Sequence, residues 1–359
     1  MSPVPLTSKE RVKAAFSHTE PDRVPVNYAY NTGIDRRLKE HFGLKKDEDE
    51  GLRVKLGVDF RSAIAPYVGP KLFPELPDRQ VDMWGVHKRW IEHETGGYWD
   101  YCDFPLKNAT LDEVRDWPFP SPDDFDYTVV AEKCRAYDDY AIVVGGAGFG
   151  DNINHTGMLR TMEQTLVDMA MDDPAGLCYM DRRTEMLVEV VRRSLEAADG
   201  LADVLYIGED LGTQQGPLIS LDMFRKHIRP RLQKLVDVGG EFGVPVMVHS
   251  CGSSSWAFDD FIEMGVAAMD TLQPEAADMA PSFLKERYGD KLAFHGCIST
   301  AGPVATGTPE EVTAEVRATL EAMMPGGGYA LAPTHKLQDN SRVENVVAMY
   351  EAAREYGTY

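Results

Sequence analysis

The feature that most constrains this chain is a repeated alternation of short, continuously apolar runs with longer stretches of helical period. Strands buried on both faces and joined by helical crossovers read this way. Eight runs stand out: Val24 to Ala29, Phe60 to Ala65, Tyr140 to Gly145, Val204 to Gly208, Pro245 to Val248, Ala267 to Leu272, Leu292 to His295, and Tyr329 to Ala332. Eight parallel strands close a barrel, so the expected fold class is α/β, a single (β/α)8 barrel domain spanning residues 1–359. Helix starts support the alternation. Asp173-Pro174 offers an N-cap and a first-turn proline, and Thr308-Pro309-Glu310-Glu311 and Ser341-Arg342-Val343-Glu344 each match a capping box. Val68 to Asp139 breaks the rhythm, with Trp84, Trp90, Tyr98, Trp99 and Tyr101 around a Gly96-Gly97 turn and a proline-rich Trp117 to Pro122. It reads as a hairpin and loop inserted between the second and third strands, either covering the pocket or forming a satellite apolar cluster.

Composition narrows the partners. A 43% hydrophobic and 26% charged chain can build a large core, while a formal net charge of -21 disfavours nucleic acid and anionic membranes. Pro3, Pro5, Lys9 and Glu10 interrupt the region where a signal peptide needs an apolar core. No window approaches the roughly 20 apolar residues of a membrane span, so the expectation is a soluble, cytoplasmic protein. The five cysteines are scattered without CxxC spacing, which suits reduced thiols.

In a barrel of this type the chemistry sits at the C-terminal ends of the strands. The fourth run is followed by Glu209-Asp210, the fifth by His249-Ser250-Cys251, and the sixth by Gln273. The seventh leads into His295-Gly296-Cys297 and the eighth into Thr334-His335. His249 and Cys251 are two apart, so on an extended chain both side chains point toward the barrel mouth. Imidazole and thiolate together suit zinc, whose catalytic sites take three protein ligands and leave one position open. His335, Cys297 and Glu209 are candidate third ligands. Gly145 to Gly150 reads as a tight turn, since no acidic residue completes a dinucleotide fingerprint.

These residues resemble the uroporphyrinogen decarboxylase superfamily from about Glu10 to the C-terminus. The matching stretches are Glu20-Pro21-Asp22-Arg23-Val24-Pro25, Gly208-Glu209-Asp210-Leu211-Gly212, His249-Ser250-Cys251-Gly252, Phe294-His295-Gly296 and Ala332-Pro333-Thr334-His335. The decarboxylase proper carries an arginine-rich segment, similar to Arg-Gln-Ala-Gly-Arg, after its first strand. Here that stretch is Asn27-Tyr28-Ala29-Tyr30-Asn31-Thr32-Gly33, without cations for a polycarboxylate. The resemblance therefore points to the corrinoid-dependent methyltransferase branch, whose zinc motif has a His-x-Cys pair and a distant cysteine. It implies His249 and Cys251 as the pair and His335 at the distant position, with Cys297 as the alternative. It further implies transfer of a methyl group between a small substrate (a thiol, or a methyl ether or amine) and cobalamin presented by a corrinoid protein. Glu209 and Asp210 are then the expected catalytic carboxylates, and Gln214, Gln215, Gln273 and Asn31 the expected substrate-binding residues. A homodimer is compatible with such a barrel. The competing expectations are a metal-independent decarboxylase of a small carboxylate, using Asp210 and an arginine such as Arg61, and a non-catalytic subunit that binds a corrinoid protein.

Overall fold

The computed structural model describes residues 5–93 and 96–359. Pro3, within the segment weighed as a signal peptide, lies outside the described residues. The strands are β1 (Phe60–Ala63), β2 (Gln80–Val81), β3 (His87–His93), β4 (Gly96–Cys102), β5 (Ala141–Gly145), β6 (Val204–Gly208), β7 (Val246–Ser250), β8 (Ala268–Thr271), β9 (Ala293–Ile298) and β10 (Tyr329–Pro333). Seven of them form one parallel sheet in the order β1-β5-β6-β7-β8-β9-β10, curled as in a (β/α)8 barrel. Most of its residues are buried on both faces, which is why the strands read as apolar runs. Helices cross between successive strands, including Pro174–Ala198, Arg229–Glu241 and Pro309–Met323. No helix among the described residues is long and apolar enough to cross a membrane.

The first expected strand, Val24 to Ala29, is a bridge between the sheet's two edges. Val26 pairs in parallel with Leu331 of β10, supported by Asn27 N–H to Leu331 C=O at 2.9 Å and Leu331 N–H to Pro25 C=O at 2.8 Å. On the other side Asp59 N–H donates to Val26 C=O at 2.9 Å, just ahead of β1. A full ladder cannot form, because Pro25 lacks a donor and the Val26 and Tyr28 N–H groups turn to the side chains of Asp59 and Asn27. Asp59 is fully buried and also accepts from Arg11, Arg23 and Ser8 at 2.7–2.9 Å. The Glu20 to Pro25 stretch thus serves barrel closure.

Inside the barrel, alternate residues of each strand meet. Phe60, Val143, Val204, Met247, Ala268, Ala293 and Ala330 form an apolar plug, sealed by Val12 and Phe16 of the helix Ser8–Phe16. The opposite faces pack against the helices. Two helix starts match their capping signals, Asp173 and Thr308. The third does not: the last helix begins at Val343 with Arg342 at the cap, and the Ser341 hydroxyl is buried without a hydrogen-bond partner. Arg37 takes the Ser341 carbonyl at 3.0 Å, so tertiary contact decides this boundary over the local box.

The insertion is an antiparallel sheet in the order β2-β3-β4 followed by helices Leu111–Asp116 and Thr128–Ala136. Gly96 and Gly97 begin β4, and the connection at residues 94–95 lies outside the described residues. Trp84 is buried against His155, with ring centroids 5.1 Å apart, and joins the main core, while Trp90, Tyr98, Trp99 and Tyr101 remain 41–51% exposed.

Glu315, on the helix Pro309–Met323, accepts Ser299 N–H at 3.1 Å through one oxygen, while the other is buried without a partner. Burial, reinforced by nearby Glu275 and partly offset by Ser299, pushes its carboxyl from 4.5 up to about 7. A raised carboxyl pKa favours the folded state while protonated. Its contribution is complete below the unfolded value and is lost as pH rises to about 7. Glu315→Gln should therefore flatten the fall in thermal midpoint over this window. Scans at about pH 5 and about pH 8 check this, and equal pH slopes in variant and wild type would count against it.

Candidate metal centre at the barrel mouth

The centre begins as a register fact. His249 of β7 pairs with Asp270 of β8, and Asp270 pairs with His295 of β9, so three adjacent strands place these side chains in one inward-facing row. Below them lies the apolar plug. Asp270 Oδ2 meets His249 Nδ1 at 2.6 Å and Oδ1 meets His295 Nδ1 at 2.5 Å. The Tyr206 hydroxyl, from β6, also donates to Asp270, and Thr271 Oγ1 lies 2.7 Å from His249 Nδ1. Burial alone would raise the Asp270 carboxyl, yet the hydrogen bonds it accepts from the His249 and His295 rings favour its ionised form and hold it far below the usual range. Burial likewise opposes charge on His249, but hydrogen bonds with Asp270 and Cys251 raise it well above an ordinary imidazole.

From His249 the row opens to the mouth. Cys251 Sγ lies 3.3 Å from His249 Nε2, and Asp210 Oδ1 lies 3.6 Å from the same nitrogen. Asp210 accepts Cys251 N–H at 2.8 Å and Asn154 Nδ2 at 2.8 Å, which fixes both carboxylate oxygens. Burial pushes the Cys251 thiol up, against the pull of His249. Asp210, His249 and Cys251 each offer one donor atom, all within 4.8 Å of one another. Ligand bonds of about 2.0–2.3 Å at tetrahedral angles put donor atoms roughly 3.3–3.6 Å apart, so these two separations fit a zinc-sized ion.

The loops carrying Asp210 and Cys251 cross at two glycines. Gly252 has φ +70, and a Cβ there would come within 2.6 Å of the Gly212 carbonyl group. A Cβ on Gly212 would in turn lie 2.3 Å from the Ser253 nitrogen. This close approach explains the glycine that follows each acid or thiol segment.

The other expected residues are distributed unevenly. Glu209 is fully buried, and its carboxylate accepts the N–H groups of Asn152 and Ile153 at 2.9 and 3.0 Å, anchoring the start of helix Asn152–Arg160. Asp210, its neighbour, is the carboxylate that joins His249 and Cys251. His335 reaches solvent at the mouth, where partial desolvation by its surroundings and the charge on His249 lower its pKa. It lies outside the Asp210, His249 and Cys251 group. Its Nδ1 receives Gln338 Nε2 at 3.2 Å, and Asn31 Nδ2 donates to Gln338 Oε1 at 3.2 Å. Cys297, with φ 71, is fully buried in the main apolar core, and burial pushes its thiol up. Gln273 Oε1 accepts Gly252 N–H at 2.6 Å and lies 3.4 Å from Gln214 Nε2, whereas Gln215 is exposed. Arg61 is held by Glu50 and by the Val58 and Phe60 carbonyls.

Asp270, Tyr206 and Asn27 were not singled out from the sequence. The signal for Asp270 was an acid inside an apolar run, since a buried carboxylate must be paired.

A family model described as uroporphyrinogen decarboxylase matches residues 152–356, more than half of the chain. No curated protein matches it by sequence. Among solved structures, a methyltransferase from Methanosarcina mazei is similar at 20% identity and a TM-score of 0.67, over 98% of this chain and 99% of its own. At that identity the likeness establishes fold. A 3-keto-D-glucoside 4-epimerase from E. coli matches at 15% identity and a TM-score of 0.33, over 72% of this chain and 96% of its own.

Gly252→Ala should lower the unfolding free energy by about 1–3 kcal/mol, because an alanine must adopt the left-handed conformation against backbone. Urea denaturation measures it. An unchanged midpoint would show that the two loops separate freely.

Proposed function

The chain belongs to the uroporphyrinogen decarboxylase family, and from that premise we propose that it is a zinc-dependent methyltransferase. It moves a methyl group between a small substrate (a thiol, or a methyl ether or amine) and a cobalamin carried by a partner protein. The observation that carries this reading is the Asp210, His249 and Cys251 constellation at the C-terminal end of the barrel. It unites oxygen, nitrogen and sulfur donors at separations that suit zinc, with the remaining position facing the mouth. The cobalamin part rests on the family resemblance.

When bound, zinc supplies Lewis acidity, which favours ionisation of a thiol or polarises a methylated oxygen or nitrogen. His249 would hold it through Nε2, with Asp270 and Thr271 taking the Nδ1 proton and fixing the ring. Cys251 would contribute a thiolate. Asp210 takes the third place that the resemblance gave to His335, because its oxygen already stands beside His249 Nε2. His335 accepts from Gln338 at Nδ1 and so directs its Nε2 proton away from that bond, as a hydrogen-bond donor to substrate. Methyl transfer is favoured over decarboxylation of a carboxylate-rich substrate by the engagement of two buried arginines, which leaves neither free to bind carboxylates. Arg61 pairs with Glu50, and Arg183 donates to the Gly148 and Asp151 carbonyls.

Metal analysis of the purified protein should find near-stoichiometric zinc in wild type and little in His249→Ala or Cys251→Ser, with Asp210→Asn weakened by about 10-fold or more. Methylcobalamin mixed with the zinc protein and a panel of thiols should then lose its methyl–cobalt absorption bands. Methyl ethers with reduced cobalamin should produce them. A folded, metal-free wild type that still turns over would sink the proposal.

A further inference from the structure

The bridge segment that closes the barrel also reaches the centre through Asn27. The orientation of its amide is set internally: Tyr28 N–H donates to Asn27 Oδ1 at 2.8 Å, so that atom is the oxygen and the other is the NH₂. The NH₂ faces His295 Nε2 at 3.0 Å. A nitrogen receiving that donor carries a lone pair and no proton. His295 must then hold its single ring proton at Nδ1, where it donates to Asp270 Oδ1 at 2.5 Å.

We infer that Asn27 is a positioning residue that keeps His295 in its neutral Nδ1–H form, so that the charge on Asp270 remains available to His249. An imidazolium at His295 would place a full positive charge against Asp270 and weaken its pull on the His249 Nδ1 proton. With His295 neutral, the Asp270 carboxylate orients His249 and raises the basicity of its Nε2, the nitrogen beside Cys251 and Asp210. The relay runs Asn27, His295, Asp270, His249 and crosses from the closing segment through β9 and β8 to β7. This inference rests on the metal-centre reading for its purpose, but the proton positions can be read in the metal-free protein.

Nitrogen-15 NMR of the histidine rings in the metal-free protein should show His295 with one protonated and one bare nitrogen, the proton on Nδ1. Asn27→Asp puts a carboxylate opposite Nε2 and should convert His295 to the doubly protonated form, lowering zinc affinity by about 10-fold. His295→Gln can still donate to Asp270 and accept from Asn27, so it should keep zinc affinity within about threefold of wild type. Loss of affinity in both variants would mark a merely structural role and overturn the inference. So would a wild-type His295 protonated at Nε2, or an Asn27→Asp protein with unchanged ring signals. Should Asn27→Asp fail to fold, the wild-type spectrum and His295→Gln decide the matter. A wild type that binds no zinc overturns the metal-centre reading alone, because the His295 spectrum still tests the relay.

Discussion

A carboxylate buried inside a barrel must find donors on every side, and Asp270 finds them on three neighbouring strands. Desolvating an unpaired carboxylate costs several kcal/mol, so Tyr206, His249 and His295 are required as much by stability as by chemistry. This ties the site to the sheet order. Asp270 can be satisfied only when β6, β7, β8 and β9 lie side by side in the observed register. A slip of one residue would turn His249 toward the helices and leave a charge without partners. The geometry of the candidate metal centre and the barrel register are therefore one constraint.

The closing segment is the second element on which the mouth depends. Asp59 draws Arg11, Arg23 and the Val26 amide to the start of β1, which fixes where residues 24–31 run. From there Asn27 reaches His295, and Asn31 reaches His335 through Gln338. A segment that forms only a single bridge to β10 thus contacts both sides of the centre. Its irregular backbone frees polar groups that a regular strand would commit to its ladder. On the opposite side Trp84 binds the insertion to the barrel against His155, and the outer aromatic residues of the hairpin stay exposed.

Sequence alone determined the parallel barrel architecture, because seven continuously apolar runs became the seven strands of the sheet. It also determined the caps at Asp173 and Thr308, whose partners lie within the same turn. The proximity of His249 and Cys251 was legible for the same reason, since two residues on one strand share a face by local geometry. Tertiary structure decided the rest. The choice of Asp210 over Glu209 beside the pair depends on a helix start 57 residues away in sequence, which claims Glu209. Asp270 was hidden within an apolar run because its partners come from other strands, and Val24 to Ala29 read as a strand because Asp59's claim on an amide leaves no periodic trace. Periodicity records which face of an element is buried, whereas proton positions and donor sets depend on side chains that meet only after the barrel closes.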